Sequence, residues 1–291
     1  MGSVKRRFGD RKDGRLIRTK DPFFKLIPYI MKKRVESQVF FEEKIDISRI
    51  EEYLKIKRQE GIRNIGLLHV LVASMIRTIS QKPRLNRFIA GQKAYARNEI
   101  LISLVVKKEL TEASPETTII VKFEPKDTIF DVISKLNTAI NENKKIDTKN
   151  GSDLAAGVFM KFPGFIIKFL VWLIEVIDYF GILPRAIKNA SPFHTTLFIT
   201  DLGSLGIQSV FHHLYELGTT SIFLAFGLKF KERHVNSVNT VVEKKYISIK
   251  ITCDERITDG FYLAKAFNVF KNTLLKPETL EIPPENVVED V

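Results

Sequence analysis

The sequence predicts one α/β domain, and three observations carry that reading. Segments of strand character alternate with segments of helical length along the chain. The most regular strand, 243–252, sets Ile247, Ile249 and Ile251 on one face and runs into a helical segment at 261–275. The composition is globular, with 44% hydrophobic and 27% charged residues in 291 and neither repeats nor an internal linker.

The chain divides into a basic N-terminal arm (1–22), a folded domain (23–278) and an extended tail (279–291) marked by Pro283 and Pro284. The arm carries Lys5, Arg6, Arg7, Arg11, Lys12, Arg15, Arg18 and Lys20 against Asp10 and Asp13, and reads as solvated, with anion binding as the alternative. A strand follows at 39–45, and Ser48 opens a helix around 50–58 with Glu51 spaced to close a capping box. The apolar run 67–79 is helical, and Pro83 lies beyond its end. Segments 88–96 and 100–107 read as a hairpin, 117–123 as a strand, and 127–141 as a helix capped by Asp127, with a polar stretch to 153.

Segment 162–180 is the most apolar. Lys161, Lys168, Glu175 and Asp178 fall on one helical face, which makes it an amphipathic helix and not a membrane span. It is expected to line the core or a pocket, the alternative being contact with a lipid surface or an acyl chain. Gly181 and Pro184 stop it. Strands at 195–200 and 221–227 flank a turn at 201–206.

Cys253 is the single cysteine, which excludes an internal disulfide framework and a cysteine zinc site and fits the cytoplasm. No apolar segment follows the basic start before Pro22, so no secretory signal is expected. The histidine spacing gives no metal constellation, and no phosphate-binding loop occurs. A net charge of +12 permits nucleic acid, anionic lipid or a polyanionic small molecule such as coenzyme A. Nucleic acid and a membrane surface are not the expected partners.

The stretch Asp254-Glu255-Arg256-Ile257-Thr258-Asp259-Gly260, between a strand and a helix, resembles the Asp-His-Arg-x-x-Asp-Gly signature of the dihydrolipoyl acyltransferases. Chloramphenicol acetyltransferases carry a related His-x-x-x-Asp-Gly. Glu255 stands where the family keeps its histidine. Thr196-Leu197-Phe198-Ile199-Thr200-Asp201-Leu202-Gly203 is similar to a second strand-and-turn of these enzymes, and 221–227 to the strand between the two. The resemblance spans roughly Pro28 to Leu275 and implies a two-layer sandwich with a mixed sheet and flanking helices. It also implies a homotrimer with sites at subunit interfaces, and acyl transfer from acyl-CoA. The lipoyl-bearing modules of those enzymes are not seen, so a stand-alone protein is expected.

In that family the histidine is the general base, and a hydroxyl, here Thr196, donates to the oxyanion. Asp259, Arg256 and Gly260 match positions that shape the loop. A free glutamate carboxyl has a pKa of about 4.3 and a thiol about 8.5, so proton transfer between them is uphill by roughly 6 kcal/mol. Three readings stay open. Glu255 serves an acceptor needing less help, such as an amine; or His212, His213 or His194 takes over; or the chain is a non-catalytic ligand-binding or scaffold trimer. His69 and His234 are expected to be structural.

Overall fold

The computed structural model describes residues 7–19, 21–107, 116–144, 154 and 157–290. Part of the basic arm (1–6 and Lys20) and most of the polar stretch expected at 141–153 lie outside them.

The centre of the molecule is strand β10 (Val241–Asp254), which pairs antiparallel with β2 (Gln38–Asp46), β8 (Ile222–Phe226) and β9 (Phe230–Val235). Beyond β8, β7 (Leu197–Asp201) and then β5 (Ile100–Lys107) join in parallel, and β6 (Glu116–Phe123) closes the edge antiparallel. The result is a mixed seven-stranded sheet in the order β2-β10-β8-β7-β5-β6, with β9 on β10. A smaller sheet joins β1 (Gly14–Leu16), β4 (Lys93–Arg97) and β3 (Arg87–Ala90).

Period-two alternation divides the large sheet between two environments. Ile222, Leu224, Ile247, Ile249 and Ile251 enter the main core, with residues of α2 (Ser48–Gln59), α3 (Leu67–Gln81), α4 (Ile129–Lys144) and α7 (Gly260–Leu275). Phe198 and Phe223, at the intervening positions, form a separate cluster with Leu214 of an irregular segment, 207–220. Helix α1 (Pro22–Ile30) is capped by Asp21, which accepts from the backbone N–H groups of Phe23 and Phe24.

Several local expectations change. Ser48 opens α2 without a capping box: its N–H is taken by the Asp46 carboxylate at 2.9 Å, and Glu51 reaches Lys229. On α4 the cap is Thr128, one residue later than the expected Asp127. Thr128 donates both its N–H and its hydroxyl to Asp131, while Asp127 binds Lys135. The hairpin is β3–β4, and 100–107 pairs with β6 instead. Gly91 and Gln92 form its two-residue turn with φ of 55° and 57°, a primed geometry in which glycine is at ease. A Cβ on Gly91 would sit 2.6 Å from the Tyr179 carbonyl oxygen.

The arm is built into the fold from residue 10 onward. β1 zips onto β4, and Arg11 is buried against Asp13 and Asp178. The tail is docked as well: the Val288 N–H reaches the Ser80 carbonyl, and Asp290 forms a buried pair with Arg87. The largest departure is α5 (Gly164–Tyr179). Asp178 is its one buried residue, so the helix lies on the outside of the chain, and Glu175, Asp178 and Tyr179 near its C-terminal end line a cavity. A short helix, α6 (Arg185–Ala190), follows it.

Phe270 of α7 is fully buried, and Phe270→Ala is expected to cost about 3–5 kcal/mol in urea unfolding. Phe261→Ala, in the first turn of the same helix but 75% exposed, should stay within about 0.5 kcal/mol of wild type.

Candidate active site

The site is set by what happens at the end of β10. Asp254 is fully buried, and Arg256 wraps back onto it through two hydrogen bonds of 2.8 and 2.7 Å. The same carboxylate accepts the Arg256 N–H and the Ser37 hydroxyl. The remaining arm of Arg256 donates to the carbonyls of Met31 and Lys32, so this pair ties the strand end to the chain between α1 and β2. Asp259 caps α7 by accepting the Tyr262 N–H at 2.8 Å, and pairs with Arg84 across 3.3 Å. A Cβ on Gly260 would meet nothing within 4 Å in the single chain. Between these anchors Glu255 is exposed and makes no hydrogen bond or ion pair with the described residues.

Thr196 precedes β7 and is buried. Its hydroxyl donates to the Asn86 side-chain oxygen at 2.6 Å and accepts the Leu101 N–H at 3.1 Å. Asn86 is held in turn by the carbonyls of Arg97 and Glu99. The oxyanion donor expected at Thr196 therefore has its proton committed inside the single chain.

Sheet register relates these residues. Leu197 lies opposite Ile222, and Ile222 opposite Cys253. The Asp254 N–H continues that row by reaching the Ser221 carbonyl. Thr196 and Asp254 thus lie at the same end of the sheet, two strands and about 10 Å apart.

The histidines lie elsewhere. His212 stacks on Phe223 with ring centres 4.4 Å apart, receives the Thr252 hydroxyl on its carbonyl, and leaves its buried Nε2 without a partner. Burial, with His213 beside it, lowers its pKa, so its ring is neutral at pH 7. Phe223 pairs with Thr252, three residues short of Glu255, which sets His212 about 10 Å from that position. His213 is exposed beside Tyr215. His69 accepts the Gly66 N–H and contacts Asn137, and His234 bonds Tyr246. The thiol of Cys253 is pushed up by burial and by Asp254 and Glu255, which leaves it inert. Among the described residues no group of three His, Cys, Asp or Glu is placed to hold a metal ion.

A further polar cluster lies deep beside the site, and it includes His194, one of the candidate bases. Asp178 receives Arg11 on both its carboxylate and its carbonyl. Its second oxygen faces His194 Nε2 at 3.6 Å, while His194 Nδ1 meets the Ser191 hydroxyl at 2.8 Å. Burial raises the Asp178 carboxyl, but His194 and Arg11 outweigh it and hold it well below the usual carboxylate range. Burial lowers the His194 pKa against the pull of Asp178. Arg97, lowered by burial to about 10, binds the carbonyls of His194 and Thr219 and lies over Phe88. Two cavities flank the site: one of about 310 Å³ beside Arg34, Arg256, Glu175 and Asp178, and one of about 710 Å³ that includes Asn86.

A mixed sheet under one layer of helices, in this strand order, is the chloramphenicol acetyltransferase-like fold. A chloramphenicol acetyltransferase superposes with a TM-score of 0.57 at 10% identity, over 90% of this chain and 99% of that one. A probable dihydrolipoamide acetyltransferase from Listeria monocytogenes gives 0.54 at 14% identity, over 89% and 94%. The catalytic core of a 2-oxoacid dehydrogenase multienzyme complex from Thermoplasma acidophilum gives 0.54 at 15%, over 90% and 98%. Within this fold, residues 187–282 match the model of the 2-oxoacid dehydrogenases acyltransferase (catalytic domain). That span contains Thr196, His212, His213 and the whole 254–260 loop. No curated protein sequence matches the chain.

The Asp178 carboxylate sets a pH dependence. Its folded pKa is depressed, so its contribution to stability is complete above the unfolded value of about 3.9 and is lost as pH falls toward the folded one. In urea unfolding, wild type should lose stability below about pH 4 more steeply than Asp178→Asn. At pH 7, Arg11→Ala strands the buried carboxylate and should cost about 3–5 kcal/mol.

Proposed function

We propose that the chain forms a homotrimer that binds an acyl-CoA thioester at its subunit interfaces and passes the acyl group to an amine, with Glu255 in the base position. The observation that carries this reading is the shared sheet end: the Glu255 loop and Thr196 are fixed in one register row, where the resemblance puts a base and an oxyanion donor. The 710 Å³ cleft beside Asn86 has the size of a ligand site, and Arg15, Lys122 and Arg185 line it together with acidic residues. The single buried cysteine fits a reducing, cytoplasmic setting.

An amine suits a carboxylate better than a thiol does. It attacks the thioester carbonyl as a neutral nucleophile; the C–N bond forms, and the adduct then carries an acidic ammonium proton. Glu255 takes that proton, the C–S bond breaks, and the coenzyme A thiolate is protonated as it leaves. Thr196 releases Asn86 and donates to the oxyanion.

One observation favours a second reading, a non-catalytic trimer that only holds the ligand. The Thr196 proton is committed to Asn86, and none of the described residues orients Glu255.

Thiol release from a panel of acyl-CoAs with amine acceptors separates the two. Glu255→Gln should lower turnover about 100-fold or more while acyl-CoA affinity holds. Sedimentation should show a trimer. Binding without turnover for every pair would establish the second reading, and a monomer without acyl-CoA affinity would sink both.

A further inference from the structure

Helix α5 carries a surface that the proposed chemistry does not use. We infer that it is a membrane-surface helix that docks the protein on anionic lipid. A helix of a globular protein ordinarily turns its apolar face inward. On α5 the most buried side chain is a carboxylate, Asp178, and the aromatic face points out. Phe165, Phe169 and Trp172, at i, i+4 and i+7, form one stripe and are 74%, 55% and 54% exposed. Phe162 and Phe180 continue it at either end. The rings of Phe169 and Trp172 touch each other, 5.7 Å between centres. A contiguous apolar patch of this kind marks a docking site.

Charge chooses lipid over a second copy of the chain. Lys161 and Lys168 flank the stripe, are exposed, and form no ion pair among the described residues. Lysine is depleted from the cores of protein interfaces, whereas beside an inserted helix its stem lies along the apolar layer and its ammonium reaches phosphate. The net charge of +12 acts in the same direction. Length then fixes the orientation. Sixteen residues make about 24 Å of helix, short of the roughly 30 Å hydrocarbon layer. Among the described residues no helix is long and apolar enough to cross a membrane. The helix therefore lies in the plane of the interface.

Helix α1 extends this surface. It exposes Phe23, Leu26 and Ile30, with Lys25, Lys32 and Lys33 also exposed beside them. Both helices reach the β3–β4 turn: the Tyr179 hydroxyl donates to Gln92 at 3.2 Å, and Tyr29 lines one cavity with Gln92.

Trp172 is the single tryptophan, so its emission reports on α5 directly. With vesicles of phosphatidylserine and phosphatidylcholine, the emission should shift to the blue and the protein should float with the vesicles, less so as salt rises. Replacing Lys161 and Lys168 by Gln should weaken partition about fivefold per lysine. Phe165→Asp together with Phe169→Asp, at exposed positions, should leave the circular dichroism intact and abolish flotation. Absence of both shift and flotation with anionic vesicles would overturn the proposal. So would an emission already blue-shifted without lipid that reverts on dilution, because a second copy then covers the stripe.

Discussion

One buried carboxylate, Asp178, determines how three distant parts of the chain fit together. A charged group in a low-dielectric interior is tolerated only when it is paired and hydrogen-bonded. Its partners here come from the N-terminal segment, as Arg11, and from the turn ahead of β7, as His194. The pair draws the basic segment into the fold and anchors the C-terminal end of α5. It also fixes the rotation of that helix: with Asp178 pointing inward, Phe165, Phe169 and Trp172 have no direction left but outward. The exposed aromatic stripe is thus a consequence of where a single charge is satisfied.

The loop after β10 follows a similar rule on a smaller scale. Asp254 and Arg256 both fold inward, and each satisfies the other. The residue between them is turned to solvent by its neighbours and not by its own chemistry. The clamp never touches the Glu255 side chain, so the loop conformation does not depend on it.

Much of the architecture is legible in the sequence where local pattern and tertiary environment agree. The period-two strand around Ile247, Ile249 and Ile251, the helix after Gly260 and the run from Leu67 all form as expected, since each buries the face that its spacing defines. The loop residues 254–260 and Thr196 are legible through the resemblance. What stays hidden depends on partners far along the chain. Spacing places Lys161, Lys168, Glu175 and Asp178 along one side of α5, but does not show that Asp178 alone turns inward while the other three stay exposed; Arg11 decides that. Segment 100–107 looks like half of a hairpin because β-character carries no information about which strand it will pair with. The caps of α2 and α4 shift by a residue or two because several carboxylates compete for the same N–H groups. Asn86, which holds the Thr196 hydroxyl, has no signature of its own.

The position of β10 in the sheet has a consequence for how the chain is made. It lies between β2, near the start of the sequence, and β8, and is hydrogen-bonded to both. Until the ribosome has delivered Val241–Asp254, those two strands each present an open edge to a slot that nothing fills. Insertion of the last strand closes both edges at once and brings the Glu255 loop to its place. Folding of the large sheet is therefore late and non-local, the topology that closes slowly and leaves nascent chains most open to mispairing. A chain stopped short of residue 241 would be two unfinished edges waiting for the same strand.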